Sequence, residues 1–262
     1  MQPHHAINLV NAIALFVAAI LGGTLNAVAG GGSFITFPTL IFAGVQPIQA
    51  NATSTVALWP GSVASVGAYR DAITTPRRTM LLLGLTSVVG GALGALLLIH
   101  TKQSTFVRLI PYLLLAATLL FAFGNAAVTS MRRGTGKRSV RPWVATAGLN
   151  ALQFIISIYG GFFGGGIGIL MLAAFSVLNL GDINNMNAVK AWLASCINGI
   201  AIVLFVIAGK VVWLPAVIMI VGAIIGGYGG ASVARRLDPE VVRIFVIIVG
   251  FVMTAYFFIH GA

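Results

Sequence analysis

Charge is scarce in this sequence, and acidic charge is almost absent. Only 7% of the 262 residues are charged, against roughly 25% in ordinary soluble domains, and Asp and Glu together number four. Long uncharged apolar runs recur along a chain that is 59% hydrophobic. A soluble fold would leave too much of this apolar surface in water, so the composition predicts an integral membrane protein.

Signals for catalysis and for cofactors are missing as well. The four histidines lie at ends and turns, no carboxylate falls inside an apolar run except at its end, and no Walker-type phosphate loop occurs. We therefore expect no metal, no cofactor, no ATP hydrolysis and no enzymatic activity. Cys196 is the single cysteine, which excludes a disulfide within the chain.

Ten apolar segments follow one another, and their continuous rather than alternating hydrophobicity predicts helices. We place them at 8–29, 33–44, 49–68, 79–99, 106–126, 143–163, 167–180, 185–208, 212–231 and 240–260. Most approach the roughly 20 residues that cross a bilayer. The second and seventh, with about 12 to 14 residues, are too short and predict half-helices or re-entrant pieces.

Two stretches of the sequence match each other. Gly30–Ser33 leads on to Asn51–Ser54, and Gly164–Ile167 leads on to Asn187–Lys190. A duplicated glycine break in so apolar a chain is typical of secondary transporters, and copies of five segments each must have opposite orientations. We predict an all-α polytopic membrane protein with a first repeat (1–126), a basic cytoplasmic linker (127–142) and a second, inverted repeat (143–262).

The net charge of +11 comes from basic residues that lie mostly between the apolar segments. They are not interleaved with aromatic residues, so we expect a lipid bilayer as partner and no nucleic acid. With the linker inside, eleven basic residues face the cytoplasm: Arg70, Arg77, Arg78, Arg132, Arg133, Lys137, Arg138, Arg141, Arg235, Arg236 and Arg243. The opposite side receives Lys102, Arg108 and Lys210. This asymmetry predicts a multi-pass membrane protein with both termini outside, which is the periplasmic side in a bacterium. Residues 1–11 show neither a basic stretch nor a cleavage site, so we expect the first segment to be retained.

Polar side chains form a stripe on two of the segments. Asn51, Ser54, Leu58 and Ser62 share one helical face, and the same spacing recurs at Asn187, Lys190, Ala194 and Asn198. Lys190 is the one charged residue that we place inside a segment rather than at its end, without a carboxylate close to it apart from Asp182. A buried cation of this kind suits an anionic ligand, but a lysine that snorkels to the interface is the alternative.

Glycine breaks before a helix free backbone N–H groups and point the positive end of the helix dipole at the gap. Gly31, Gly32 and Ser33, with Gly165 and Gly166, are therefore candidate anion donors, unless the breaks are only hinges. We expect Thr53 and Ser54 either to bind the ligand or to cap a helix. Trp59 and Trp192 are candidate cavity walls.

The motifs resemble the TauE/SafE family of sulfite and organosulfonate exporters, also called the toluene sulfonate uptake permease family. The resemblance spans the chain and rests on Gly30–Pro38, Gln49–Ser54, Gly160–Gly166 and the stretch from Lys190 to Asn198. It implies a bacterial inner-membrane transporter for sulfur oxyanions, sulfonates or related carboxylates, usually working outward. The second copy departs from the first, with Asn-Ala-Val-Lys in place of Asn-Ala-Thr-Ser.

These observations lead to one functional hypothesis and its alternatives. The main hypothesis is an exporter of a small sulfur-containing anion that works by alternating access at a site near the middle of the bilayer. An uptake permease or a channel for a small anion or another small solute is the runner-up. An intramembrane enzyme and a non-transporting scaffold stay open as further alternatives.

Overall fold

The computed structural model describes residues 8–28, 31–68, 73–134, 142–177, 180, 183–234 and 239–260, and most of these residues are helical. These residues form ten α-helices: α1 (Leu9–Val28), α2 (Ser33–Phe42), α3 (Pro47–Ala68), α4 (Arg77–His100), α5 (Gln103–Gly134), α6 (Pro142–Phe162), α7 (Ile167–Val177), α8 (Ile183–Ile207), α9 (Trp213–Ala234) and α10 (Pro239–His260). The predicted all-α polytopic fold is confirmed.

Nine of the ten helices begin and end within three residues of the predicted segments. Three of them begin at a proline, at Pro47, Pro142 and Pro239, where the missing N–H would have no partner within the helix. The exception is α5, which continues to Gly134 and makes the first eight residues of the predicted linker helical. The sequence suggested a break near 126 because polarity rises there, but polar residues continue a helix as well as apolar ones do.

Long apolar helices give the molecule the character of a membrane protein. Four stretches in the described residues have the length and hydropathy to cross a bilayer: Leu9–Asn26, Arg77–His100, Gln103–Leu120 and Asn184–Ile207. Their outward faces are apolar, as on α4, where Leu81 and Leu85 are each 64% exposed. Such a face is stable in lipid and not in water.

Two helices are too short to span. α2 has 10 residues and α7 has 11, which at about 1.5 Å per residue gives roughly half of a 30 Å hydrocarbon core. Each directly follows one of the glycine breaks, as predicted. Whether these short helices are re-entrant stays a prediction.

The helix contacts follow a repeating pattern. The most extensive packing joins α1 to α9 and α4 to α6, while α3 packs on α8 and α5 on α10. Helix α1 corresponds to α6, α2 to α7, and so on to α5 and α10. When each helix is replaced by its counterpart, every substantial helix pair except α3–α5 becomes a pair that is also present. The pattern supports two related copies of five helices, and their opposite orientation stays a prediction.

Glycine lets these helices approach closely. A Cβ on Gly226 of α9 would overlap the carbonyl oxygen of Ile20 in α1, and one on Gly94 of α4 would overlap that of Ile158 in α6. At Gly90 and Gly222 a Cβ would have its nearest neighbour at 2.6 Å on the partner helix. These four glycines therefore form small faces through which the helices pack closely.

Several sequence-based expectations fall on residues outside the described ranges. They are the first glycine of the first break, the acidic residue before α8, and six of the eleven basic residues assigned to the cytoplasm: Gly30, Asp182, Arg70, Lys137, Arg138, Arg141, Arg235 and Arg236. The membrane orientation therefore stays a prediction.

Candidate functional site

A cavity of about 90 Å³ lies where α3 and α8 meet the start of the two short helices. Its volume is enough for several water molecules or one small oxyanion. Five helices and the second glycine break supply its lining: Asn26, Ser33, Asn51, Ser54, Thr55, Leu58, Ser62, Phe163, Gly164, Ile167, Gly168, Asn187, Lys190, Ala191, Ala194 and Asn198.

Both predicted polar stripes line this one cavity. We call Asn51, Ser54, Leu58 and Ser62 the α3 stripe, and Asn187, Lys190, Ala194 and Asn198 the α8 stripe; all eight residues belong to the lining. The spacing i, i+3, i+7, i+11 places each set on one face of its helix. Because α3 packs directly on α8, the two faces meet.

Lys190 brings the single ionisable side chain into this lining. Its Nζ donates a hydrogen bond of 2.9 Å to Oδ1 of Asn187, one turn earlier on α8. Its aliphatic stem lies against Gly168 of α7, where a Cβ would be 3.3 Å from the lysine Cδ. The side chain thus lines the cavity, and its ammonium is directed toward Asn187, one turn nearer the start of α8. The choice between ligand binding and snorkelling stays a prediction.

The two short helices begin at the cavity. Ser33 is the first residue of α2, Ile167 and Gly168 are the first two of α7, and all three belong to the lining. The first N–H groups of a helix have no partner inside the helix, and the helix dipole adds roughly half a positive charge there. The break before α7 depends on glycine, since Gly164 and Gly166 have φ of 80° and 76°. Two helix starts and one ammonium make this end of the cavity positive.

Neutral polar groups of α3 are held in place by hydrogen bonds. Asn51 Nδ2 donates to the carbonyl oxygen of Phe162 at the end of α6, over 3.1 Å. The hydroxyls of Ser54 and Thr36 are 2.6 Å apart, and Asn26 Nδ2 donates to Ser62 Oγ over 3.1 Å. On α8, the amide of Asn198 has no hydrogen-bond partner among the described residues and is available to a ligand.

The sequence model of the family described as "Sulfite exporter TauE/SafE" matches residues 15–257. The chain belongs to the TauE/SafE family. Among TauE/SafE relatives, it is 28% identical over 242 residues to the "Probable membrane transporter protein" of Haemophilus influenzae, an alignment that covers 92% of each chain. It is also 28% identical to the "Probable membrane transporter protein YfcA" of Escherichia coli K12, across 92% of this chain and 87% of that one. No solved structure matches this chain significantly.

The membership makes this TauE/SafE chain a multi-pass membrane transporter, as the sequence predicted. In the part of the chain that the structure describes, no three His, Cys, Asp or Glu side chains come together. We therefore assign no metal site there. The chemistry that the cavity offers is reversible binding, through one ammonium, amide and hydroxyl groups and helix N-termini.

Three predicted site residues of this TauE/SafE chain have structural contacts instead. Thr53 is fully buried on another face of α3, where its Oγ1 accepts a 3.0 Å hydrogen bond from the backbone N–H of Val212. Trp59 Nε1 donates to the carbonyl oxygen of Ser195, which ties α3 to α8 behind the cavity. Trp192 is 36% exposed, and its Nε1 would lie 3.3 Å from a Cβ on Gly84 of α4. None of the three lines the cavity.

Four of the predicted glycines also lie outside the lining. The carbonyl oxygens of Gly31 and Gly32 accept hydrogen bonds from the first turn of α2. The carbonyl oxygen of Gly165 accepts a 2.7 Å hydrogen bond from the hydroxyl of Tyr159, and Gly166 begins the first turn of α7. These glycines shape the breaks, while Ser33 and Gly168 next to them reach the cavity. The binding role of every predicted site residue stays a prediction.

Sequence reasoning missed several lining residues. Asn26 is a lone amide in the apolar α1, and only its position shortly before the break set it apart. Thr55 is next to Ser54 and donates to the carbonyl oxygen of Asn51. Phe163 and Gly168 carried no chemical signal in the sequence, and both line the cavity.

Proposed function

We propose that this TauE/SafE transporter exports a small sulfur-containing anion, such as sulfite or a sulfonate, by alternating access around the cavity between α3 and α8. The observation that carries the proposal is the position of Lys190, whose side chain lines the cavity beside the start of α7. A cation beside the positive end of a helix is electrostatically unfavourable. A bound anion would stabilise both the ammonium and the helix end.

The surroundings of Lys190 support an oxyanion more than an apolar or cationic solute. Asn51, Asn187 and Asn198 offer amide donors, and Ser33 and Ser54 offer hydroxyls. No lining residue is acidic. A tetrahedral or pyramidal oxyanion accepts several such hydrogen bonds at once, and charge-assisted hydrogen bonds are about twice as strong as neutral ones.

The helix arrangement supports alternating access. α3 of the first copy packs against α8 of the second copy at the cavity. Each copy therefore contributes one polar stripe to the lining. In transporters of this design the two copies rock about a fixed site at their interface. We further propose that the protein lies in the bacterial inner membrane with both termini periplasmic, because the basic residues of the connections then face the cytoplasm.

Flux measurements in proteoliposomes test the proposal. We expect Lys190→Met to lower the transport of labelled methanesulfonate or sulfite by roughly ten- to hundredfold, because charge-assisted hydrogen bonds contribute about 1.5–3 kcal/mol. Lys102→Met, which removes an exposed charge at the turn before α5, is the matched control and should transport normally. Normal flux through folded Lys190→Met protein would refute the site.

The same vesicles separate the exporter from the runner-up. An alternating-access carrier exchanges labelled for unlabelled anion faster than it releases the label into buffer without anion, whereas a channel shows no such counterflow. With an inside-negative potential, each exported charge gains roughly 2.3 kcal/mol per 100 mV. We expect counterflow, and efflux that speeds up as the interior becomes more negative.

A further inference from the structure

Few charged groups line the cavity. Sixteen residues form the lining, and Lys190 is the single ionisable one among them. The remaining polar groups are amides, hydroxyls and backbone, which stabilise an anion but cannot cancel its charge. Within the described residues, the cavity therefore carries one full positive charge, on one side.

Other titratable groups near α8 do not add to these charged groups. On the helices that pack against α8, these are Tyr159 of α6 and Arg77, Arg78 and His100 at the ends of α4. The hydroxyl of Tyr159 is engaged with the carbonyl oxygen of Gly165, and none of the four lines the cavity. Cys196 of α8 is outside the lining too.

A single ammonium sets the charge that a ligand can bring. A monoanion forms a neutral pair with Lys190, and neutral pairs are tolerated in a low-dielectric interior when hydrogen bonds complete them. A dianion leaves one negative charge that only dipoles face, and burying an unpaired charge is costly. We propose that the cavity selects singly charged anions over doubly charged ones of the same shape; the inference rests on the anion transport proposed above.

Apolar side chains also contribute to the lining, and this composition fits the selection. Leu58, Phe163, Ile167, Ala191 and Ala194 belong to the lining beside the polar groups. An anion whose fourth substituent is apolar, such as an organic sulfonate, can turn its oxygens to Lys190 and its substituent to one of these side chains. In a dianion of the same shape, that place is taken by a charged oxygen, which would lose its hydration beside an apolar group without a partner.

For sulfite the selection has a specific meaning. Sulfite exists as a dianion and as the singly charged hydrogen sulfite, which interconvert near neutral pH. The proposal assigns the hydrogen sulfite form as the bound species. The proton then travels with the substrate, and no carboxylate relay is required for it.

Calorimetric titration of the purified transporter at one pH and one ionic strength tests the inference. Methanesulfonate and sulfate share a tetrahedral shape and differ by one charge, and perchlorate is a singly charged anion with the four oxygens of sulfate. We expect methanesulfonate and perchlorate to bind at least about tenfold more tightly than sulfate, given the cost of an unpaired buried charge. This margin exceeds the roughly fourfold gain that one buried methyl gives.

A second variant changes the number of charged groups itself. Ser54 occupies the place in the α3 stripe that Lys190 occupies in the α8 stripe, and both line the cavity. Ser54→Lys adds a second ammonium, and Ser54→Met adds a chain of similar length without charge. We expect Ser54→Lys to raise the affinity for sulfate relative to methanesulfonate by about tenfold or more over Ser54→Met, since it supplies the missing partner.

The outcomes are distinct. If wild-type protein binds sulfate as tightly as methanesulfonate and perchlorate, charge selection is wrong and anion transport stands. If no anion binds, including sulfite and short carboxylates, the proposed function fails and the inference fails with it. The comparison of wild-type affinities decides even if Ser54→Lys does not fold.

Discussion

Replacing Gly161 by alanine tests how closely α6 packs against α4. Gly161 is the second-last residue of α6 and lies against Gly91 of α4. A Cβ at Gly161 would be 2.8 Å from the carbonyl carbon of Gly91 and 2.9 Å from its Cα, and would overlap its carbonyl oxygen. Carbon atoms in contact are ordinarily about 3.5–4.0 Å apart, so the two backbones must separate by roughly 0.6 Å or more.

Nothing in this contact can rotate away, because all three atoms belong to the backbone of Gly91. Overpacking of this kind costs about 1–3 kcal/mol, and we expect Gly161→Ala at the upper end of that range. For a chain of this size, about 3 kcal/mol corresponds to an unfolding temperature lowered by roughly 6–12 °C. The measurement is the fraction of protein in detergent that stays monodisperse after heating.

Gly148→Ala provides the control on the same helix. Gly148 is exposed, and no atom lies within 4 Å of the position that its Cβ would take. Alanine there keeps the contacts of α6 and removes a flexible residue, so stability should be unchanged or slightly raised. If Gly161→Ala melts within a degree of Gly148→Ala, the close crossing of α4 and α6 is wrong.

Two further substitutions separate residues that act in the cavity from residues that support the fold. Gly168→Ala places a Cβ 3.3 Å from Cδ of Lys190. Because the lysine side chain is flexible, the stability of the protein should be unchanged. The ammonium should be displaced, however, and methanesulfonate binding should weaken several-fold in calorimetric titration. Unchanged affinity would argue against contact with the lysine stem. Thr53→Val removes the hydrogen-bond acceptor of the Val212 N–H and should lower the free energy of unfolding by about 1–3 kcal/mol. Thr53→Ser should restore the stability, and anion affinity should be unchanged in the folded fraction of both variants. A loss of affinity would indicate that Thr53 belongs to the binding site.

The helices and the two stripes were predictable because their signals are local. Apolar runs of fixed length, ended by polar or glycine residues, define a membrane helix without knowledge of its neighbours. A helical spacing likewise fixes which side chains share a face, whatever that face meets. For this reason the α3 stripe and the α8 stripe were found complete, and Lys190 was found with them.

The roles of Thr53 and Trp59 depend on contacts distant in sequence. Thr53 is bound to a backbone group 159 residues away, and Trp59 to one 136 residues away. A hydroxyl or an indole next to a polar stripe looks the same in sequence whether it turns to the ligand or to another helix. Asn26 shows the converse, since its place in the cavity follows from the packing of α1 on α3.

The two copies are similar in packing but different in chemistry at the cavity, and this difference bears on how a transporter of this design would work. In the first copy, Asn51 donates to the carbonyl oxygen of Phe162, which belongs to the second copy. In the second copy, the corresponding Asn187 accepts from Lys190 on its own helix. One asparagine therefore joins the copies, while the other holds the cation.

A rocking motion of one copy against the other would strain the Asn51 contact and leave the pair of Lys190 and Asn187 intact. The bound anion would then stay with α8 and exchange its neutral partners on α3. Binding a monoanion would cancel the charge of the site, so access would switch outward with a neutral site and return inward with one positive charge. With the interior negative, the field would drive this return inward, which is the direction that export requires.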